Sequence, residues 1–141
     1  MTLNLKTKNT YIIAEAGVNH NGKLSIAKKL ITNAKKSGAD AIKFQIFDSS
    51  KLVTKHAKKA PYQFKNTKNR SSQYKMLKGL ELSKKNFIQL LNFSKKKKID
   101  FLASSFDEQS LSFLVDELKQ KIIKIPSGEI TNFLLLKKID L

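Results

Sequence analysis

Four apolar runs each carry ionisable groups or hydroxyls inside them or at their C-terminal ends. Glu15 follows Tyr11–Ala14 and leads into the turn Gly17-Val18-Asn19-His20-Asn21-Gly22. Lys43 and Gln45 interrupt Ala41–Phe47, and Ser104-Ser105-Phe106-Asp107 follows Ile99–Ala103. Lys124 lies within Ile122–Ile125, and Pro126-Ser127-Gly128-Glu129 comes next. A lysine in a buried strand is costly unless it is paired or meets an anion. Two such lysines with two serine clusters describe a site for a small, strongly anionic ligand, such as a phosphorylated carboxylate. Taken singly, each residue also has a plainer reading. Lys43 and Lys124 fit core ion pairs with Glu15 or Glu129. Ser104, Ser105 and Ser127 fit helix caps. His20, beside Asn19 and Gly22, fits a turn-stabilising role better than a metal ligand, and His56 reads as surface. The site reading rests on four strand ends that are polar in the same way.

The elements that must position these groups alternate short apolar runs with longer amphipathic ones, the signature of βα units and a parallel sheet. After Asn21-Gly22, Leu24–Lys36 keeps helical spacing through Ala27, Leu30, Ile31 and Ala34, and Gly38 closes it. Ala41–Phe47 is a second strand. Residues 48–72 are polar, contain Pro61 and show no period, so they read as a long loop. Gln73–Lys78 is a short helix that stops at Gly79. Ser83 caps Lys84–Lys97, whose apolar face carries Phe87, Leu90 and Leu91. A third strand covers Ile99–Ala103. Asp107 or Ser105 caps a helix with the stripe Leu111, Leu114, Val115 and Leu118. A fourth strand, Ile122–Ile125, ends at Pro126, and Phe133–Ile139 has a final helical pattern. Four βα units leave two architectures: an open doubly wound sheet or about half of a (β/α)8 barrel. Both place chemistry at the C-terminal ends of strands. The lack of G-x-G-x-x-G after the first strand weakens the nucleotide-binding version.

Composition narrows the class. The 141 residues include 40% apolar side chains and no cysteine. That excludes a disulfide scaffold, a thiolate nucleophile and a cysteine-based zinc site. No apolar run reaches the roughly 18–20 residues that span a bilayer, and the N-terminus has no signal-peptide core. The expectation is a soluble, cytoplasmic chain without a membrane partner. The net charge of +17 invites a nucleic-acid reading. Of the 28 basic residues, however, Arg70 is the single arginine. Base-edge and bidentate phosphate recognition lean on arginine. The lysines are scattered through every segment, so they read as solvated helix faces, with Lys95–Lys98 favouring a helix C-terminus. No nucleic-acid partner is expected.

Several blocks in order resemble the opening of the sialic acid synthases. They are Ile13-Ala14-Glu15-Ala16-Gly17-Val18-Asn19-His20-Asn21-Gly22, then Gly38-Ala39-Asp40-Ala41-Ile42-Lys43-Phe44-Gln45, and Ser72-Gln73-Tyr74-Lys75-Met76-Leu77. Leu102-Ala103-Ser104-Ser105-Phe106-Asp107 and Lys124-Ile125-Pro126-Ser127-Gly128-Glu129-Ile130-Thr131-Asn132 continue the series. The form Glu-Ala-Gly-Val-Asn-His-Asn-Gly is closer to the N-acetylneuraminate and N,N'-diacetyllegionaminate branch than to the pseudaminate branch. The resemblance implies the N-terminal half of a (β/α)8 barrel, with residues 1–141 forming a partial synthase domain. It also implies condensation of phosphoenolpyruvate with an N-acetylated mannosamine-type sugar for surface polysaccharide. On the matching positions, Lys43 and Lys124 would hold phosphate and carboxylate, helped by Ser104 and Ser127. Glu129 would receive sugar hydroxyls, and Glu15 would sit near the reacting carbons. Gln45 is a weaker candidate for the same pocket. Around Asn66 and Asn69 the match is too loose to carry over a sugar-binding asparagine.

The departures set the expectations for this chain. Ala103-Ser104-Ser105-Phe106 stands where the family shows Ser-Thr-Pro-Phe, so a rigid proline is lost. Pro126 stands where a small residue precedes Ser-Gly-Glu, removing a strand N–H. The resemblance places the histidines that bind Mn2+ or Mg2+ beyond Leu141, together with a small antifreeze-like domain that covers the partner's site in a homodimer. Neither His20 nor His56 matches those ligands. Residues 1–141 alone are therefore expected to be an incomplete synthase without turnover.

Overall fold

In a computed structural model of the chain, the structure describes residues 10–67 and 71–139, so Asn69 and Arg70 lie outside the described residues. Three strands form one parallel sheet in the order β1-β2-β3: β1 Ile13–Gly17, β2 Ala41–Ile46 and β3 Asp100–Ser105. The crossover from β1 to β2 is helix α1, Leu24–Lys36. The crossover from β2 to β3 contains α2 Ser49–Leu52, α3 Pro61–Thr67, α4 Gln73–Lys78 and α5 Lys84–Lys97. After β3 come α6 Glu108–Ser112, a π-turn at Phe113–Glu117, a 3-10 turn at Ser127–Glu129 and α7 Phe133–Ile139.

Period two sorts the strand residues onto two faces. Ala14 and Ala16, Ile42, Phe44 and Ile46, and Phe101 and Ala103 meet the helices. Ala27 and Ile31 of α1 and Phe87 and Leu90 of α5 pack on them, all fully or almost fully buried. Phe101 stacks on Phe44 at 5.7 Å and meets Phe87 edge-on at 6.4 Å. Glu15, Lys43, Gln45, Leu102 and Ser104 are therefore left on the opposite face.

The helix ends follow local chemistry. Ser83 accepts from the Asn86 N–H at 3.2 Å, and Asp107 accepts from the Ser110 N–H at 2.8 Å, each satisfying an orphan donor of a first turn. α1 ends with Lys35 and Lys36 before Gly38, whose φ of +83° suits a residue without a Cβ. At the N-terminal end of the sheet, the Ile12 N–H donates to Asp40 Oδ2 at 2.7 Å and the Tyr11 hydroxyl donates to Asp100 Oδ2 at 2.5 Å. Burial, then the Asp100 carboxylate, push the Tyr11 phenol above its usual range. Tyr11→Phe is expected to cost about 1.5–3 kcal/mol, read as a lower urea midpoint with an unchanged slope.

The structure corrects several expectations. Ile122–Ile125 is not a strand: the segment is irregular and pairs with none of the described strands. The Gln120 side chain instead holds the β3 edge at Ala103. Lys124 is consequently exposed, so the buried-lysine argument holds for Lys43 alone. The 48–72 segment is not all loop, because α2 and α3 form within it. Val115 is 41% exposed, since the π-turn changes the helical phase and turns Phe113 inward in its place. β1 and β3 also run to Gly17 and Ser105, so Glu15, Ser104 and Ser105 lie within strands.

Candidate functional site

Strand register brings four of the sequence-derived residues onto one face. Glu15 is opposite Lys43, Lys43 is opposite Leu102, and Gln45 is opposite Ser104. In a parallel sheet, such partners project to the same side. Lys43 is largely buried, its side chain 12% exposed, and its Nζ forms an ion pair with the half-exposed Glu15 carboxylate. Ser104 is 2% exposed, and its Oγ has no hydrogen-bond partner among the described residues. A buried hydroxyl without a partner loses its hydration and gains nothing in return. A cation and a free hydroxyl thus sit two residue steps apart on one sheet face, near the strand C-termini.

Gly17 shapes the same end of the sheet and was not singled out from the sequence. The ladder between β1 and β2 shifts register between Glu15 and Gly17, a bulge that ends the strand. Gly17 has φ of +52°, and a Cβ there would stand 3.3 Å from Glu15 Oε1 and 3.6 Å from Gln45 Nε2. The Glu15 carboxylate and the Gln45 amide both border the space that glycine leaves. The signal in the sequence was a glycine placed two residues after a strand-end acid.

The other predicted residues lie on the later segment. Lys124 and Ser127 are exposed. Glu129 is half-buried and accepts from Asn132 Nδ2 at 2.7 Å, which ties the 3-10 turn to the start of α7. That segment forms no strand to align it with the Glu15–Lys43–Gln45–Ser104 face.

His20 takes the turn-stabilising role. It is fully buried against Phe44, and its Nδ1 accepts from the Gly22 N–H at 3.0 Å. Nδ1 is therefore the unprotonated nitrogen, and burial holds the imidazole below its ordinary pKa. The unfolded chain takes up a proton near pH 6.5 that the folded chain refuses, so stability present above that pH is lost as pH falls through it. The urea midpoint is expected to drop between about pH 7.5 and 5.5, and to drop less in His20→Gln.

Among the described residues, no group of three or more His, Cys, Asp or Glu side chains could hold a metal ion. Both imidazole nitrogens of His20 face a turn or the core. The described residues therefore do not fit a Mn2+ or Mg2+ site.

The structure is a parallel α/β unit with a cation, a carboxylate and an unpartnered hydroxyl at its strand ends. Comparison with known proteins gives its family. Residues 30–140 match the NeuB family. The chain is 54% identical over 132 residues to the N,N'-diacetyllegionaminic acid synthase of Campylobacter jejuni, covering 94% of this chain and 39% of that protein. It is 53% identical over 122 residues to the enzyme of the same name from Legionella pneumophila, covering 86% of this chain and 34% of that one. Among solved structures, it is similar to N-acetylneuraminic acid synthetase from Leptospira borgpetersenii, crystallised with citrate. That match has a TM-score of 0.73 and 36% identity, covering 92% of this chain and 40% of the other. The chain belongs to the NeuB family. It spans about 34–39% of the length of these curated synthases. Among the described residues, no helix is long and apolar enough to cross a membrane.

Proposed function

We propose that this chain is the phosphoenolpyruvate-binding part of a sialic-type acid synthase, the N-terminal half of a (β/α)8 barrel. The observation that carries the reading is the buried Lys43 with the unpartnered Ser104 hydroxyl on one strand-end face. An ammonium and a hydroxyl in that setting suit a phosphate or carboxylate better than they suit water. When no anion is present, Glu15 neutralises Lys43.

The proposed reaction joins phosphoenolpyruvate to the open-chain form of an N-acetylated mannosamine-type sugar. C3 of phosphoenolpyruvate attacks the sugar aldehyde carbon, and the carbonyl oxygen becomes a hydroxyl by taking up a proton. C2 becomes electron-poor and is trapped by water, which loses a proton. The C2–O bond to phosphate then breaks as the C2 hydroxyl gives up its proton to the departing phosphate, releasing inorganic phosphate and leaving a 2-keto acid. Lys43 and Ser104 hold the anionic groups, with Lys124 and Ser127 joining them when their segment is aligned. Glu15 orients the water and opposes the positive charge at C2, and Gln45 lines the same pocket from the neighbouring strand. Glu129 accepts hydrogen bonds from the sugar. The closest support for this chemistry is the 54% identity to a diacetyllegionaminic acid synthase.

The later strands, the metal ligands and the covering domain of a homodimer belong to the remaining length of such an enzyme. The 141-residue chain alone is expected to bind phosphoenolpyruvate without turning it over. A phosphate-release assay with manganese, phosphoenolpyruvate and N-acetylmannosamine tests this. Phosphate released by the chain alone would contradict the division of labour.

A further inference from the structure

Beyond their last paired residues, β2 and β3 stay joined by side chains. Gln45 is opposite Ser104 and Ile46 is opposite Ser105, where the ladder ends. Phe47 then meets Phe106 edge-on at 6.3 Å. One position further, the Asp48 N–H donates to Asp107 Oδ2 at 3.0 Å. Asp107 is 8% exposed and also takes two bonds from Ser110. The N–H reaches Oδ1 at 2.8 Å, and the hydroxyl reaches Oδ2 at 2.6 Å. Capping α6 uses only the Oδ1 bond, and serine or asparagine caps a helix about as well as aspartate does. The second oxygen reaches across to the exit of β2. The turn it holds is fixed from the other side as well. Glu81 Oε1 accepts from the Ser49 N–H at 2.8 Å and from the Ser49 hydroxyl, while Glu81 Oε2 takes Lys78 Nζ at 2.7 Å.

We propose that Asp107 is a positioning residue for the strand-end anion site, holding β2 and β3 in the alignment that sets the Ser104 hydroxyl beside Lys43 and Gln45. This role rests on the reading of that face as a phosphoenolpyruvate site. The Ser104 hydroxyl has no partner among the described residues, so its position follows that of the strand backbone. That backbone is near the end of its ladder, where pairing is weakest. A hydrogen bond from a backbone N–H to a carboxylate is roughly twice as strong as one to a neutral acceptor. Asp107 places such a bond past the Gln45–Ser104 pair, at the same offset on both strands. Its burial keeps water from competing for the Asp48 N–H. A binding site needs its groups held within about 0.5 Å, so slack at these two exits would reach the anion.

The test combines calorimetric titration with phosphoenolpyruvate, corrected for the folded fraction, and 15N–1H spectra without ligand, all on the 141-residue chain. Asp107→Ala removes both oxygens. Asp107→Asn keeps one acceptor and is the conservative variant. Gly38→Ala, strained at the other end of the sheet, controls for a general loss of stability. Per folded molecule, Asp107→Ala is expected to bind about tenfold more weakly, with Asp107→Asn between it and the wild type. The Ser104 amide signal is expected to move in both variants before ligand is added. Gly38→Ala is expected to bind as the wild type does. Wild-type affinity in Asp107→Ala, or an unmoved Ser104 amide, would overturn the proposal. So would an equal loss of affinity in Gly38→Ala. If the wild-type chain does not bind phosphoenolpyruvate, the proposed function fails. The ligand-free Ser104 signal then decides whether Asp107 sets the strand alignment. If Asp107→Ala does not fold, Asp107→Asn decides on the same readings.

Discussion

Gly22→Ala is expected to destabilise the chain by about 2–5 kcal/mol, a large share of the roughly 5–15 kcal/mol that holds a domain together. Two causes add. Gly22 has φ of +70°, where an L side chain costs about 1–2 kcal/mol. A Cβ there would also stand 2.3 Å from the Gly79 carbonyl oxygen, a backbone atom that cannot swing aside. The turn after β1 and the loop between α4 and α5 would have to separate, and the His20–Gly22 bond would go with them. Gly38→Ala is the control. Its φ is +83° but no atom lies within 4 Å of the added Cβ, so only the conformational cost of about 1–2 kcal/mol applies. Urea unfolding of the two variants separates strain from collision. Equal losses would show that the contact with Gly79 yields freely.

Lys43→Met is expected to weaken phosphoenolpyruvate binding by about 30-fold or more, because it removes one partner of a desolvated charge pair. The same change should leave stability nearly unaltered. Methionine keeps the buried stem, and the released Glu15 carboxylate is 52% exposed and returns to water. Binding and folding therefore part company at this residue. Lys124→Ala, on an exposed and irregular segment, is expected to change affinity by a few-fold at most in this chain. Calorimetric titration of each variant checks both statements. A loss of affinity shared equally by Lys124→Ala would mean that general positive charge, rather than the β2 lysine, attracts the ligand.

Much of the scaffold was legible because its signals are local. The spacing of Ala27, Leu30, Ile31 and Ala34 gives α1 its observed bounds, and Ser83 caps α5 as its position before the apolar stripe implies. Lys43 and Gln45 stand out inside the apolar run Ala41–Phe47, and the strand register puts them on one face with Glu15 and Ser104. The fourth strand was misread for a physical reason. Ile122–Ile125 has a strand's composition, but pairing depends on who holds the β3 edge, and a side chain two residues upstream holds it. α2 and α3 were missed because four and seven residues are too short to display a period. Contacts such as the Asp48 N–H to Asp107, 59 residues apart, leave no trace in local pattern. Gly22 against Gly79 is hidden in the same way, since a glycine announces freedom and not what it touches.

Where phosphoenolpyruvate binds decides whether the strand-end face is the site. Adding it to the 15N-labelled 141-residue chain and following each backbone amide answers that. Saturable shifts are expected, confined to Gly17, Lys43, Gln45 and Ser104 and their neighbours at the C-terminal ends of β1, β2 and β3. Shifts spread over the lysine-rich helix faces, or none at the strand ends, would contradict it.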